Sequence, residues 1–147
     1  MALAVCLLLA ACTPFKFVAD YSSDAEKRIT DASAASIALY DRMNEKKAAA
    51  PTAPLPYTDF SEEWGKIETQ LRVMVLREQA RPLNKDSLRI AESILRLWQK
   101  FREAHRASQD YPLAKLRIDL NHLVRNYAAA LMAEEGKKLA NADGPPA

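Results

Sequence analysis

The sequence predicts an all-α protein, an antiparallel four-helix bundle in up-down-up-down order, and three observations lead there. Only three glycines occur in 147 residues, while Ala, Leu, Arg, Lys and Glu abound, a composition that favours helix over strand. Apolar residues recur at alternating spacings of four and three along four separate stretches, the pattern of one-sided helices. Prolines or capping residues separate those stretches. A chain of this length buries one core without needing staples.

The first helix is expected over about 23–47, opening after Ser22 or Ser23. Its apolar line is Ala25, Ile29, Ala32, Ser36, Leu39 or Tyr40, and Met43, and the small Ala32, Ala35 and Ser36 admit a close neighbour. "AAAPTAPLP", with prolines at 51, 54 and 56, reads as an extended linker. The second helix, about 59–81, opens on Asp59 with Glu62 three residues later, a pair resembling a capping box. Its seam is Phe60, Trp64, Ile67, Leu71 and Met74, and Pro82 disfavours helix in the residue before it.

The third helix, about 86–106, has Asn84 or Asp86 as cap and a stripe of Leu88, Ala91, Ile94, Leu95, Trp98, Phe101 and His105. The fourth, about 111–136, has Asp110 as cap, Pro112 in its first turn, and a stripe of Leu113, Leu116, Leu120, Leu123, Val124, Tyr127 and Leu131. Gly136 before Lys137 and Lys138 marks its end. The bundle thus occupies 21–140, and 141–147, "NADGPPA", form a disordered tail. The first link leaves two alternatives open: a longer crossover, or a three-helix core with the first helix packed outside.

A different kind of sequence precedes the bundle. Residues 2–11, "ALAVCLLLAA", are uninterrupted apolar residues. A membrane-spanning helix needs about 20, whereas this run has the length of a signal-peptide core. The competing reading, a buried first helix, would show no polar face at all. Leu9-Ala10-Ala11-Cys12 resembles the lipobox of bacterial lipoproteins. The resemblance covers these four positions and the leader, and departs from the usual pattern in having no basic residue ahead of the apolar run. It implies that residues 1–11 are a signal peptide cut between Ala11 and Cys12, that the Cys12 thiol is diacylated, and that the new amine is acylated too. Each buried methylene contributes about 0.8 kcal/mol, so one chain anchors reversibly and several make release rare. Thr13, where Asp would retain an enteric lipoprotein in the inner membrane, implies the periplasmic side of the outer membrane in a diderm host.

Residues 12–20 then form a lipidated tether. Its eight residues "TPFKFVAD" reach at most about 28 Å, so the bundle stays near the lipid surface. Phe15, Phe17 and Val18 either dip into the interface or cap the helical core. The mature part loosely resembles small helical envelope lipoproteins of proteobacteria, a likeness that carries no active site with it.

Little in the rest points to chemistry. The formal net charge of +2 is too small for a nucleic-acid footprint. Both cysteines, Cys6 and Cys12, sit in the leader, so no disulfide framework is expected. His105 lies at the end of the third stripe, where a half-packed ring would suit the helix dipole, and His122 points away from the fourth. Asp119 and His122 have the i, i+3 spacing of di-iron bundles, but such sites need two Glu-x-x-His pairs and two further glutamates facing inward, whereas this single shortened copy is expected to face sideways and outward. No haem motif, phosphate loop or nucleophile elbow occurs. Neither metal nor cofactor is expected, and no enzyme.

Two surface features remain. Lys85, Arg89, Arg96 and Lys100 form a basic stripe, either a solvated face or contacts for lipid headgroups or an acidic partner. Val73, Leu76, Ile118 and Met132 are apolar residues facing outward, candidates for a partner surface. The expected role is a lipid-anchored, non-catalytic interaction or structural module that binds another envelope protein or a second copy of itself. The alternative is a periplasmic bundle holding a metal or small ligand in a pocket lined by Asp119, His122 or His105.

Overall fold

The computed structural model describes residues 18–142; Ala11, Cys12, the rest of the leader and most of the tether lie outside the described residues. Within them the chain forms four α-helices and one 3₁₀ turn, with no strand. The helices are α1, Ser23–Ala49; α2, Ser61–Ala80; α3, Lys85–Ser108; and α4, Leu113–Ala142, with the 3₁₀ turn at Tyr57–Asp59.

α1 starts where the sequence signals it, with the Ser22 Oγ accepting from the Ala25 amide at 3.2 Å. Asp24 and Glu26 lie in its first turn and Lys46 and Lys47 in its last, each matching the helix dipole. Helix α2 departs from expectation. Phe60 precedes it with no side-chain cap, and Asp59 forms an ion pair with Lys46 of α1 instead. Asn84 precedes α3 but turns its amide onto Glu78 and not onto the helix amides. Asp110 likewise serves another purpose, described below.

α4 runs straight through Gly136 to Ala142, so the expected stop is corrected. Gly136 is not in a left-handed conformation, and residues on either side of it continue the buried face. That face proceeds Leu116, Leu123, Tyr127, Ala130, Glu134, Lys137, while Val124, expected on it, is exposed. Packing of Glu134 and Lys137 carries the helix past the local signal.

α1 packs on α2 and α4, and α3 packs on α2 and α4, which leaves α2 diagonal to α4. Cross-helix contacts fix the directions. The start of α1 meets the end of α4 through Ser22 and Glu134, its end meets the start of α2 through Arg42 and Glu63, Trp98 of α3 bonds Trp64 of α2, and Lys137 of α4 reaches Asn84 before α3. Neighbouring helices are therefore antiparallel, and the first helix belongs to the core. Aromatic residues dominate that core: Trp64 and Trp98 are both fully buried, with ring centroids 4.4 Å apart.

The proline linker is also part of the core. Leu55 within it is 1% exposed and Tyr57 is buried beside it. An extended segment has become a lid on one end of the bundle. Leu83, in the tight α2–α3 turn, has φ 56°, a left-handed conformation that costs a branched residue on the order of 1–2 kcal/mol.

A Cβ at Gly136 would meet nothing within 4 Å. Gly136→Ala is therefore expected to raise stability by about 1 kcal/mol through helix propensity alone, measured by urea denaturation. A loss of stability would show that the helix breaks there.

Candidate functional site

Polar groups concentrate at the two ends of the bundle. At the end formed by the linker and the α3–α4 turn, a chain of buried hydrogen bonds runs through His105, which is completely buried. The Trp64 Nε1–H donates to His105 Nδ1 at 3.1 Å. That leaves Nε2 carrying the proton, and it donates to the Leu55 carbonyl at 2.7 Å. The Trp98 Nε1–H donates to the Trp64 carbonyl at 3.1 Å. Burial holds the imidazole below its ordinary pKa, against the opposing pull of the Leu55 carbonyl and of Asp110 and Asp59. The expectation of a half-packed ring suited to the helix dipole is thus corrected to an enclosed ring that favours its neutral form.

Asp110 clamps the same end. Its Oδ1 accepts from the Leu55 amide, the Tyr111 amide and the Lys47 ammonium, each at 2.8 Å. The hydrogen bond from Lys47 holds its carboxyl below the ordinary range despite partial burial. Lys47, buried itself, also donates to the Ala53 carbonyl at 2.7 Å. Nearby, the Tyr111 hydroxyl donates to Asp119 at 2.5 Å, so the Tyr40 hydroxyl donates to Tyr111 at 3.1 Å. Burial pushes both phenols well above their ordinary range. Higher in the core the Ser36 Oγ donates to the Ala32 carbonyl and accepts from Tyr127 at 2.9 Å, and burial pushes the Tyr127 phenol up to about 12.

Asp119 therefore faces inward, contrary to the sequence reading, and its carboxylate is taken by Tyr111 and by an ion pair with Lys115. His122 is half-buried and stacks on Phe101 with centroids 6.4 Å apart. His105 is occupied on both nitrogens. The three residues do not line a common pocket, and among the described residues no group of three or more His, Cys, Asp or Glu could hold a metal ion. Every buried side-chain nitrogen or oxygen among the described residues has a partner.

The opposite end is where the chain enters α1. Glu134 is its hub, 1% exposed. It receives Arg81 at 2.9 Å, the Ser22 amide at 3.2 Å, and the Lys137 ammonium. Lys137 also donates to Asn84 and Ser87, both at 2.7 Å, and Arg81 also reaches Glu78 at 2.8 Å. Burial alone would raise the Glu134 carboxyl; the hydrogen bonds from Arg81 and Lys137 outweigh it and hold the pKa below its ordinary value. The sequence carried a signal for this cluster. Continuing the rhythm of Tyr127 by three and four reaches Ala130, Glu134 and Lys137, which places an acid and a base on the core face.

The outward apolar residues divide. Leu76 is 64% exposed on α2, whereas Ile118 and Met132 are 55% and 74% exposed on α4. Because α2 and α4 are diagonal, these do not form one patch, and the surface expected from all four residues is corrected to two separate faces. Val73 lies in the shallow groove between α1 and α2, beside Arg28 and Thr69. On α4, Ile118, Met132 and Leu139 are spaced by multiples of seven along one line about 30 Å long, with exposed Ala128 and Ala129 beside it. Of the basic stripe, Lys85, Arg89, Arg96 and Lys100 are all exposed. Arg89 pairs with Asp86, and Arg96 with Glu92 at 3.8 Å, the pattern of a solvated helix face.

No family model matches the chain, and searches of curated proteins and of solved structures return no match.

The His105 arrangement gives a pH signature. In the unfolded chain the imidazole titrates near 6.5, and in the fold it does so lower. The unfolded state therefore takes up the proton first, and stability present above pH 6.5 is lost as pH falls below it. The urea midpoint should drop between pH 7 and 5.5, and His105→Gln, although less stable at pH 7, should lose most of that drop. An unchanged slope in the variant would place the titration elsewhere.

Proposed function

We propose that this protein is a membrane-tethered, non-catalytic interaction module, held by lipid on Cys12 at the periplasmic face of a bacterial outer membrane, that docks another envelope protein through the outer face of α4. The observation that carries the reading is the exposed line of Ile118, Met132 and Leu139 on a bundle whose polar interior is satisfied by its own residues. This face, flanked by Arg117 and Glu135 and crossed by Arg125 at the heptad position between Ile118 and Met132, resembles a small, partly polar interface with a polar rim. The lipobox at 9–12 supplies the anchor. No helix among the described residues is long and apolar enough to cross a membrane, so attachment in this reading rests on the acyl chains.

The alternative, a bundle that binds a metal or small ligand, draws no support from the geometry. Its ring and carboxylate candidates, His105 and Asp119, are committed to Trp64, Leu55, Tyr111 and Lys115. The α4 reading is tested in intact membranes with a photo-crosslinking residue at Met132 or, on the opposite face, at Leu76. A discrete adduct from position 132, lost with Ile118→Asp and absent from position 76, is the expected result. Equal adducts from both positions, or none from 132, would remove α4 as the docking face.

A further inference from the structure

We infer that the bundle stands end-on, with the α2–α3 turn pressed against the bilayer and Leu83 and Val18 seated in its interface. This rests on the lipid anchor at Cys12 and adds an orientation and a contact surface to it. Three observations lead to the bilayer as the occupant.

The first is where the chain enters. The Ala19 amide donates to the Leu83 carbonyl at 3.2 Å, so the segment leading from Cys12 joins the bundle at the α2–α3 turn. Six residues separate Cys12 from Ala19, a span of about 25 Å when fully extended, whereas the bundle is about 45 Å long, judged from the 30 residues of α4. The opposite end cannot reach the lipid unless the molecule lies down.

The second is what that end displays. Leu83 and Val18 are 57% and 48% exposed, and Leu139 is exposed in the last turns of α4, whose Lys138 ammonium lies 5.6 Å above the Tyr21 ring. The surface hollow around Leu83 is lined by Gln79, Lys85, Asp86, Leu88 and Arg89, with Glu78 beside them. Gln79, Lys85 and Arg89, the last paired with Asp86, carry long side chains whose polar heads can stay at headgroup level while the leucine goes deeper. The opposite end presents Pro51, Thr52, Ala53, Ala107 and Gln109, and among the described residues no large apolar side chain is exposed there.

The third is backbone strain. Among the described residues, the two non-glycine residues with positive φ sit at turns, Leu83 at 56° and Gln109 at 54°. Gln109 uses its side chain locally, donating to the Arg106 carbonyl at 2.7 Å. Leu83 holds an apolar side chain out of the protein in a conformation that Gly or Asn would adopt more easily. Such strain, carried by a side chain with little to pack on in the fold, marks a position selected for something outside it.

The test uses the full chain, processed and lipidated in cells and reconstituted into vesicles of phosphatidylethanolamine and phosphatidylglycerol. Single cysteines are introduced as Val18→Cys, Leu83→Cys, Ala107→Cys, Ile118→Cys and Met132→Cys, labelled with a small fluorophore, and challenged with a nitroxide-bearing lipid. Strong quenching at 18 and 83 with none at 107, 118 or 132 is expected. Quenching at 118 and 132 would mean that the bundle lies flat and would overturn the inference, as would labels unquenched at every position in protein that still floats with the vesicles. Protein that floats no better than its Cys12→Ser form would overturn the anchor, and the orientation with it.

Discussion

The buried carboxylate of Glu134 is the group on which the geometry of this molecule most depends. It joins three parts of the chain that are distant in sequence: the amide of Ser22 at the start of α1, the guanidinium of Arg81 at the end of α2, and the ammonium of Lys137 on its own helix. Taking such charges out of water is costly, and the cost is offset only where every partner is in place. The cluster therefore specifies one arrangement of the helix ends. Removing the carboxylate alone would leave Lys137, 6% exposed, and Arg81 poorly compensated, a loss on the order of 3–5 kcal/mol for a buried pair.

The far end is closed by other means. A proline-rich link that has no helical partner supplies Leu55, whose burial contributes about 2 kcal/mol and whose amide and carbonyl are both claimed by side chains, Asp110 and His105. The backbone polar groups of a buried loop must be satisfied somewhere, and here two side chains from the α3–α4 turn region do it. That is why the link lies folded over the end of the bundle and α1 is held in the core.

Much of this was legible in the residues. The apolar rhythm located four helices, because burial of one face is what makes a helix in a protein of this kind. The helix ends were read less well, since Gly136 and the capping-box pair at Asp59 and Glu62 are local signals that tertiary contacts override. Asp59 was drawn to Lys46, and α4 was carried on by Glu134 and Lys137. The inward turn of Asp119 was legible in the same rhythm, three residues after Leu116 and four before Leu123, but the stripe was filled at that step with the apolar Leu120, and its partner Tyr111, which lies before the helix, gives no local signal. The division of the outward apolar residues into two faces depends on which helices are diagonal, and no single helix encodes that.

The functional picture joins a structural frame to a short motif. The bundle has a closed interior and two ends of unlike character, one polar and small, the other carrying exposed leucine and valine beside the point where the chain arrives. α4 presents its apolar line to the side. In the proposed reading, a lipid at Cys12 would give these features a direction, with one end to the membrane and one flank to a partner. The most direct measurement is the intact mass of the N-terminal peptide recovered from membranes. A chain beginning at Cys12 and carrying a diacylglyceryl group is the expected result; a chain that retains residues 1–11 with a free Cys12 thiol would contradict it.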